Sequence, residues 1–276
     1  MPHTRASLAA DLSRLGLAAG DVVMVHSSVR AVGPVTGGPD QIHLAVEDAV
    51  SPGGTVVMIL GCGDGYDDVG RGHLSAEEEA DLLAHMPAFD PFTARAARDN
   101  GTLVEFFRTW PGTIPSAAVT TRLGARGAQA RWLMEPAPLV FPFGKGSAFE
   151  RLLQANARIL MLGADHDTVT LLHYAEQVAD FPDKIVKRYR LPVLRDGARV
   201  WVDGAEYDSS KGAHASWPDR FFAEIVDAFI ALAAPPAGKI GDADSVLLDA
   251  NALIAYAMPV MERRARMPRP ADRPAP

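Results

Sequence analysis

The sequence predicts an α/β layered fold: a single domain in which helices flank a mixed, partly parallel central sheet. Two observations carry this expectation. Apolar runs of strand length and β-branched character stand at Val22–His26, Thr55–Leu60, Arg158–Gly163 and Ile185–Leu194. Helical patterns lie between them, at Gln41–Val50, Thr102–Thr109, Ala125–Met134, Ala148–Ala155 and Thr168–Ala179. An Asp196-Gly197 pair between two strand-like runs adds a hairpin, and with it antiparallel pairing.

The remaining elements follow in order. Met1–Gly20 reads as an amphipathic helix carrying Asp11 and Arg14, without the basic and uninterrupted apolar segments of a secretion signal. Glu77–Glu79 read as a solvated helix face. Beyond the hairpin come a helix around Pro218–Ala233, a Pro-Pro break at 235–236 and a last helix around Asp242–Tyr256. No repeat or long linker divides the chain, so one domain over residues 1–266 is expected, with a disordered Pro-rich tail over 267–276.

Composition narrows the function. A net charge of −7 counts against a nucleic-acid partner, which requires a basic face, and suits a cationic substrate. No apolar run approaches the roughly 20 residues of a bilayer span, so no membrane partner is expected. The single cysteine, Cys62, excludes an internal disulfide and fits a reducing cytoplasm. Composition does not decide between a monomer and a homodimer.

Three segments carry candidate chemistry. In Val25-His26-Ser27-Ser28-Val29-Arg30-Ala31-Val32-Gly33-Pro34, two hydroxyls, an arginine and a glycine turn follow a buried strand. Loops at strand carboxyl ends bind ligands in open α/β sheets, and this one suits an anion as well as an ordinary turn. In Gly163–Glu176, Thr170, His173 and Glu176 are spaced i, i+3, i+6 on a predicted helix, which sets a hydroxyl and a carboxylate beside an imidazole. His166 and His173 lack metal-ligand spacing, and no metal is expected. The third candidate is acidic: Asp64, Asp67 and Asp68 in and after a Gly-rich loop, then Glu105 and Asp208. No nucleophile elbow or phosphate-binding P-loop is present.

Together these segments resemble the aminoglycoside 3-N-acetyltransferase family, over residues from about 5 to 260. The likeness includes Val25–Pro34, Gly37-Gly38-Pro39, Pro52-Gly53-Gly54-Thr55, Phe89-Asp90-Pro91, Glu105–Gly112, Phe143–Ser147 and Gly163–Glu176, in that order. The resemblance implies that family's own α/β fold, not that of the common N-acetyltransferase superfamily. It implies acetyl transfer from acetyl-CoA, as cosubstrate, to the 3-amine of the 2-deoxystreptamine ring of a cationic aminoglycoside antibiotic. His173 is then the base. Ser27, Ser28, Arg30, Val32, Gly33 and Ser116 would hold the coenzyme, and Thr170 would lie near the thioester. Glu105, Glu176 or Asp208 would orient the imidazole. Asp64, Asp67, Asp68, Glu105 and His173 would meet the drug. One departure stands out: the family usually has Arg-Ser-x-His-Pro after its Pro-Gly turn, whereas this chain has Ala118 and Val119 in the His and Pro positions. An N-acyltransferase acting on another amine is the alternative reading.

Overall fold

The computed structural model describes residues 1–63, 65–208, 214 and 217–267. Helix α1 (Arg5–Leu15) starts in a Thr4/Ser7 capping box and stops at Gly16, whose φ of 116° falls in the left-handed region. Strand β1 (Val22–Ser27) follows, then the single turn α2 (Val29–Val32), capped by the Ser28 hydroxyl. After α3 (Asp40–Val50), strand β2 (Thr55–Ile59) lies parallel to β1 with Val22 opposite Thr55. Helix α4 (Ala76–His85) has an acidic first turn in which Glu77 and Glu78 are exposed, as expected of a solvated face, while the half-buried Glu79 accepts the Gly70 amide. A 3₁₀ turn (Arg98–Asn100) leads into α5 (Thr102–Thr109).

The short β3 (Ile114–Pro115) and β4 (Leu123–Gly127) turn the chain back antiparallel against β2. Two helices, α6 (Ala130–Leu133) and α7 (Ala148–Gln154), bring it to β5 (Arg158–Leu162), parallel to β1 on the other side. Helix α8 (Leu172–Val178) comes next, then the hairpin β6 (Val186–Arg195) and β7 (Ala198–Tyr207). The chain finishes with α9 (Phe221–Ala233), β8 (Ala237–Ile240), β9 (Ala243–Asp249) and α10 (Ala250–Ala265). Among the described residues the main sheet has seven strands in the order β3-β4-β2-β1-β5-β9-β8, and the hairpin forms a separate two-stranded sheet.

The three central strands are parallel and the edges antiparallel, so the expected mixed, partly parallel sheet is present. Strand alternation divides the core. Val22 and Met24 of β1 pack with Val57, Ile159, Phe149, Leu172, Val226 and Leu253 on one face. Val23 and Val25 pack with Leu8, Leu12, Val46, Leu103 and Phe107 on the other. A smaller cluster of Cys62, Tyr66, Phe89, Val119, Tyr189 and Leu191 seats the hairpin on the segment that follows β2.

Three expectations fail, each for a physical reason. Ala125–Met134 is not one helix: β4 runs through Gly127, held by its ladder to β2, and only Ala130–Leu133 is helical. Asp242–Tyr256 begins as β9, because pairing with β5 overrides the helical pattern until Asp249 caps α10. Thr168–Ala179 divides into a 3₁₀ turn (His166–Thr168) and α8. The expected tail over 267–276 lies outside the described residues except for Met267.

One buried cation ties the loop after β2 to the sheet. Arg122, fully buried, donates from Nη1 to the Arg95 carbonyl at 3.1 Å and from Nη2 to those of Pro91 and Ala94 at 2.7 and 2.9 Å. Its guanidinium lies 5.6 Å from the Phe89 ring centroid. Arg122→Met keeps the volume but strips three buried carbonyls of their donor. It is expected to lower unfolding stability by about 2–4 kcal/mol, measured by urea denaturation.

Candidate functional site

The strands β1, β2 and β5 are parallel, so their carboxyl ends open at one edge of the sheet, and the loops that follow them meet there. The loop after β5 makes a tight turn at Gly163, whose φ is 62°; a side chain there would run into Ala31 and Ala243. Asp165 then accepts the Asp167 amide and caps the 3₁₀ turn, and Arg220 pairs with Asp165 at 2.7 Å. Thr170 lies in the turn before α8, where its carbonyl accepts the His173 amide at 3.1 Å. The three residues expected on one helix face are therefore together, although Thr170 precedes the helix.

His173 is the centre of this arrangement. Its Nδ1 stands 2.5 Å from Oε2 of Glu176, one turn on in α8. Glu176 is buried at 3% exposure, so its carboxylate has little water to compete for this contact. A carboxylate only accepts, so Nδ1 carries the hydrogen and Nε2 of the neutral ring keeps its lone pair. The imidazole lies between the rings of Phe143 and Phe222, at centroid distances of 4.8 and 4.9 Å. The orienting carboxylate is supplied locally by α8, whereas the two rings come from distant parts of the chain.

Around it lies a cavity of about 260 Å³, lined by Asp67, Asp99, Glu206 and Asp208 with Arg71, Lys187, Thr120, Thr170 and Tyr207. Four carboxylates against two cations give it an acidic wall. Lys187, buried on the hairpin, pairs with Glu206 at 2.8 Å, and Glu206 accepts the Thr120 hydroxyl at 2.7 Å. Burial pushes the Asp67 carboxyl up to about 6; nearby Lys187 and Arg71 oppose the rise, and Glu206 and Asp68 add to it. On the far side of His173 a second opening is lined by Glu176, Asp167, Asp219, Trp217 and Phe222. A third cavity, at the ends of β1 and β5, contains Ser27, Ser28, Gly163 and Thr168, and shares Ile59, Asp99 and Asn100 with the first.

Several expected site residues are elsewhere. Glu105 faces a separate groove with Arg95 and Arg98; it pairs with Arg108 and Arg95 and accepts the Ala96 amide, so it orients nothing at His173. Val32 is fully buried in the core, and its carbonyl is taken by the Asp242 amide. Ser116 is buried, with its hydroxyl accepting the Leu123 amide, and so serves the β3–β4 connection. Arg30 is exposed on α2, and Gly33 lies against Asp242; neither lines the three cavities. Asp68 faces His73 at 3.4 Å, outside the cavity. Asp64 lies outside the described residues. Val119, in the departing segment, is core in the hairpin-seating cluster.

The sequence reading passed over Asp99, Asn100, Lys187, Glu206, Phe143 and Phe222. One signal was present: β6 alternates buried Lys187, Tyr189 and Leu191 with exposed Val186, Arg188 and Arg190. A lysine in the buried register of an alternating strand needs a carboxylate partner.

Hydrogen bonds from Arg108, opposed by partial burial, hold the Glu105 carboxyl down to about 2. A depressed carboxylate stabilises the fold above its unfolded pKa, and that contribution is lost as pH falls from about 4.5 toward 2. Glu105→Gln is therefore expected to lower the melting temperature at neutral pH and to flatten its acid-side decline. The shape of the pH–rate profile should stay that of the wild type.

Comparison with known proteins agrees with this geometry. The family described as aminoglycoside 3-N-acetyltransferase matches residues 24–262. Aminoglycoside N(3)-acetyltransferase III of Pseudomonas aeruginosa is 40% identical, over 96% of this chain and 95% of its own length. Aminoglycoside N(3)-acetyltransferase VII of Streptomyces paromomycinus is 36% identical, over 95% and 93%. Among solved structures, AAC-IIIb in a binary complex with CoASH superposes with a TM-score of 0.90 at 42% identity, covering 98% of this chain and all of that one. AAC-VIa bound to sisomicin does so with a TM-score of 0.90 at 34% identity, over 97% and 100%. A site built on a carboxylate-held imidazole within an acidic cavity, in a chain alike along nearly its whole length, has a plain assignment: the chain belongs to the aminoglycoside 3-N-acetyltransferase family and is an acyltransferase.

Proposed function

We propose that this enzyme transfers the acetyl group of acetyl-CoA to the 3-amino group of the 2-deoxystreptamine ring of aminoglycoside antibiotics, and so confers resistance. The observation that carries the reading is the His173–Glu176 pair facing a carboxylate-lined cavity. An aminoglycoside is a polyamine at neutral pH, and its ammonium groups match Asp67, Asp99, Glu206 and Asp208. On this reading the reaction takes place in the cytoplasm, where acetyl-CoA is available.

The chemistry divides between few residues. Acetyl-CoA, when bound, supplies an acyl carbon activated by its thioester and a sulfur leaving group. Nε2 of His173 takes the proton from the 3-ammonium and frees the lone pair that attacks. Glu176 stabilises the imidazolium that results and fixes the ring's tautomer. As the nitrogen bonds the acyl carbon and the C–S bond breaks, Nε2 hands this proton to the departing sulfur. The second proton of the attacking nitrogen leaves to solvent, so amide and thiol form with one proton released. Ser27, Ser28 and Thr168 border the cavity that would receive the coenzyme, Asp99 and Asn100 stand at its junction with the drug cavity, and Thr170 lines the drug cavity beside His173. No group of three or more His, Cys, Asp or Glu placed to hold a metal ion is found among the described residues.

Two measurements test the reading. His173→Asn is expected to lower kcat/KM for gentamicin or tobramycin by about 10²–10⁴-fold in a thiol-release assay, while calorimetric drug affinity stays within a few-fold. Absence of thiol release by the wild-type enzyme with any 2-deoxystreptamine drug would sink the assignment. The raised Asp67 carboxyl gives the second: Asp67 is charged above about 6 and neutral below it. Drug affinity should weaken as pH falls through that value, and Asp67→Asn should remove the inflection.

A further inference from the structure

His26 is the last residue of β1 before the serine pair, and it lies opposite Met161 of β5. Strand alternation aims its side chain to the same face as Met24, the face on which α8 packs. The residue is only 5% exposed, and its Nε2 is buried without a hydrogen-bond partner. Buried polar atoms are nearly always bonded, so an orphan at the wall of a cavity marks a place where a ligand completes the bonding. His26 lines the cavity that contains Ser27, Ser28, Asn100, Gly163 and Thr168, next to the one that contains His173. Burial keeps the ring neutral, pushing its pKa down to about 4.

A neutral imidazole offers one donor and one acceptor. Nε2 is the donor or the acceptor according to the tautomer, so it can meet either the C=O or the N–H of a secondary amide. The neutral ring suits a phosphate poorly, because a phosphate calls for cations or for donors alone. In acetyl-CoA the secondary amides lie in the pantetheine arm, the part that must pass from the adenosine end toward the reacting carbon. Taking the donor to be acetyl-CoA, as in the function proposed above, we propose that Nε2 of His26 hydrogen-bonds an amide of the pantetheine arm. The cavity at the ends of β1 and β5 then channels the arm toward His173.

Calorimetric titration of the full chain with CoA and with adenosine 3′,5′-bisphosphate, which lacks the arm, tests this. His26→Leu is expected to weaken CoA about tenfold and to leave the bisphosphate unchanged, while His26→Gln, which keeps a donor and an acceptor, stays within about threefold for both. Without ligand, His26→Leu should melt at or above the wild-type temperature, since an apolar side chain removes an unsatisfied group. Its melting-temperature rise on adding CoA should shrink. His26→Asn, polar but too short to reach, gives the same comparison if the leucine variant does not fold. Wild-type CoA affinity in both variants would overturn the proposal, as would an equal loss for CoA and the bisphosphate. A wild-type chain that binds the drug but no CoA would overturn the donor reading along with it.

Discussion

The molecule depends on β1 being buried on both faces and paired in parallel on both edges. Val22, Val23, Met24 and Val25 leave no face for water, so the strand is stable only with helices above and below the sheet. Parallel pairing with β2 and β5 then forces every crossover back to the same starting edge, and the three strands finish together. That single constraint delivers the serine pair, the segment after β2 and the His173 segment to one place. Antiparallel β4 and β9 close the flanks of the parallel core, and the segment before β4 brings Thr120 to the cavity wall.

Within that frame the site separates polar groups by how they are satisfied. Glu176 is buried and committed to His173, which leaves one imidazole nitrogen for chemistry. Lys187 and Glu206 are buried and committed to each other, so their net effect on the cavity is small and Asp67, Asp99 and Asp208 set its sign. Arg122 is spent on the carbonyls of Pro91, Ala94 and Arg95, which shapes the segment carrying Asp99 and Asn100. Arg122 and Lys187 are thus engaged in structure, while Asp67, Asp99 and Asp208 line the opening.

Fold class and the grouping of Thr170, His173 and Glu176 were legible in the sequence because each rests on short-range pattern. The apolar runs of β1, β2 and β5 are continuous, and Thr170, His173 and Glu176 are neighbours along the chain. What escaped depends on partners far away. β4 and β9 look helical until a ladder claims them. Glu105 had the charge of a catalytic carboxylate, but Arg108 lies one turn along α5 and Arg95 reaches it from the preceding loop. Val32 and Ser116 stood in the right motifs and were taken by the core and by the Leu123 amide. Lys187 and Glu206 enter from a hairpin that begins after α8 has ended, beyond the reach of any helical spacing rule.

That hairpin is bonded along its length to itself, and it meets the rest of the backbone through single bridges at Phe89–Val193 and Val140–Ala205. Helix α8 and the part of the wall contributed by β6 and β7 are therefore separate elements, linked through Phe141, whose carbonyl accepts from Gln177 of α8 and whose amide donates to Ala205 of β7. Exchanges at the inward positions of the hairpin alter the lining of the cavity while leaving the His173–Glu176 pair untouched.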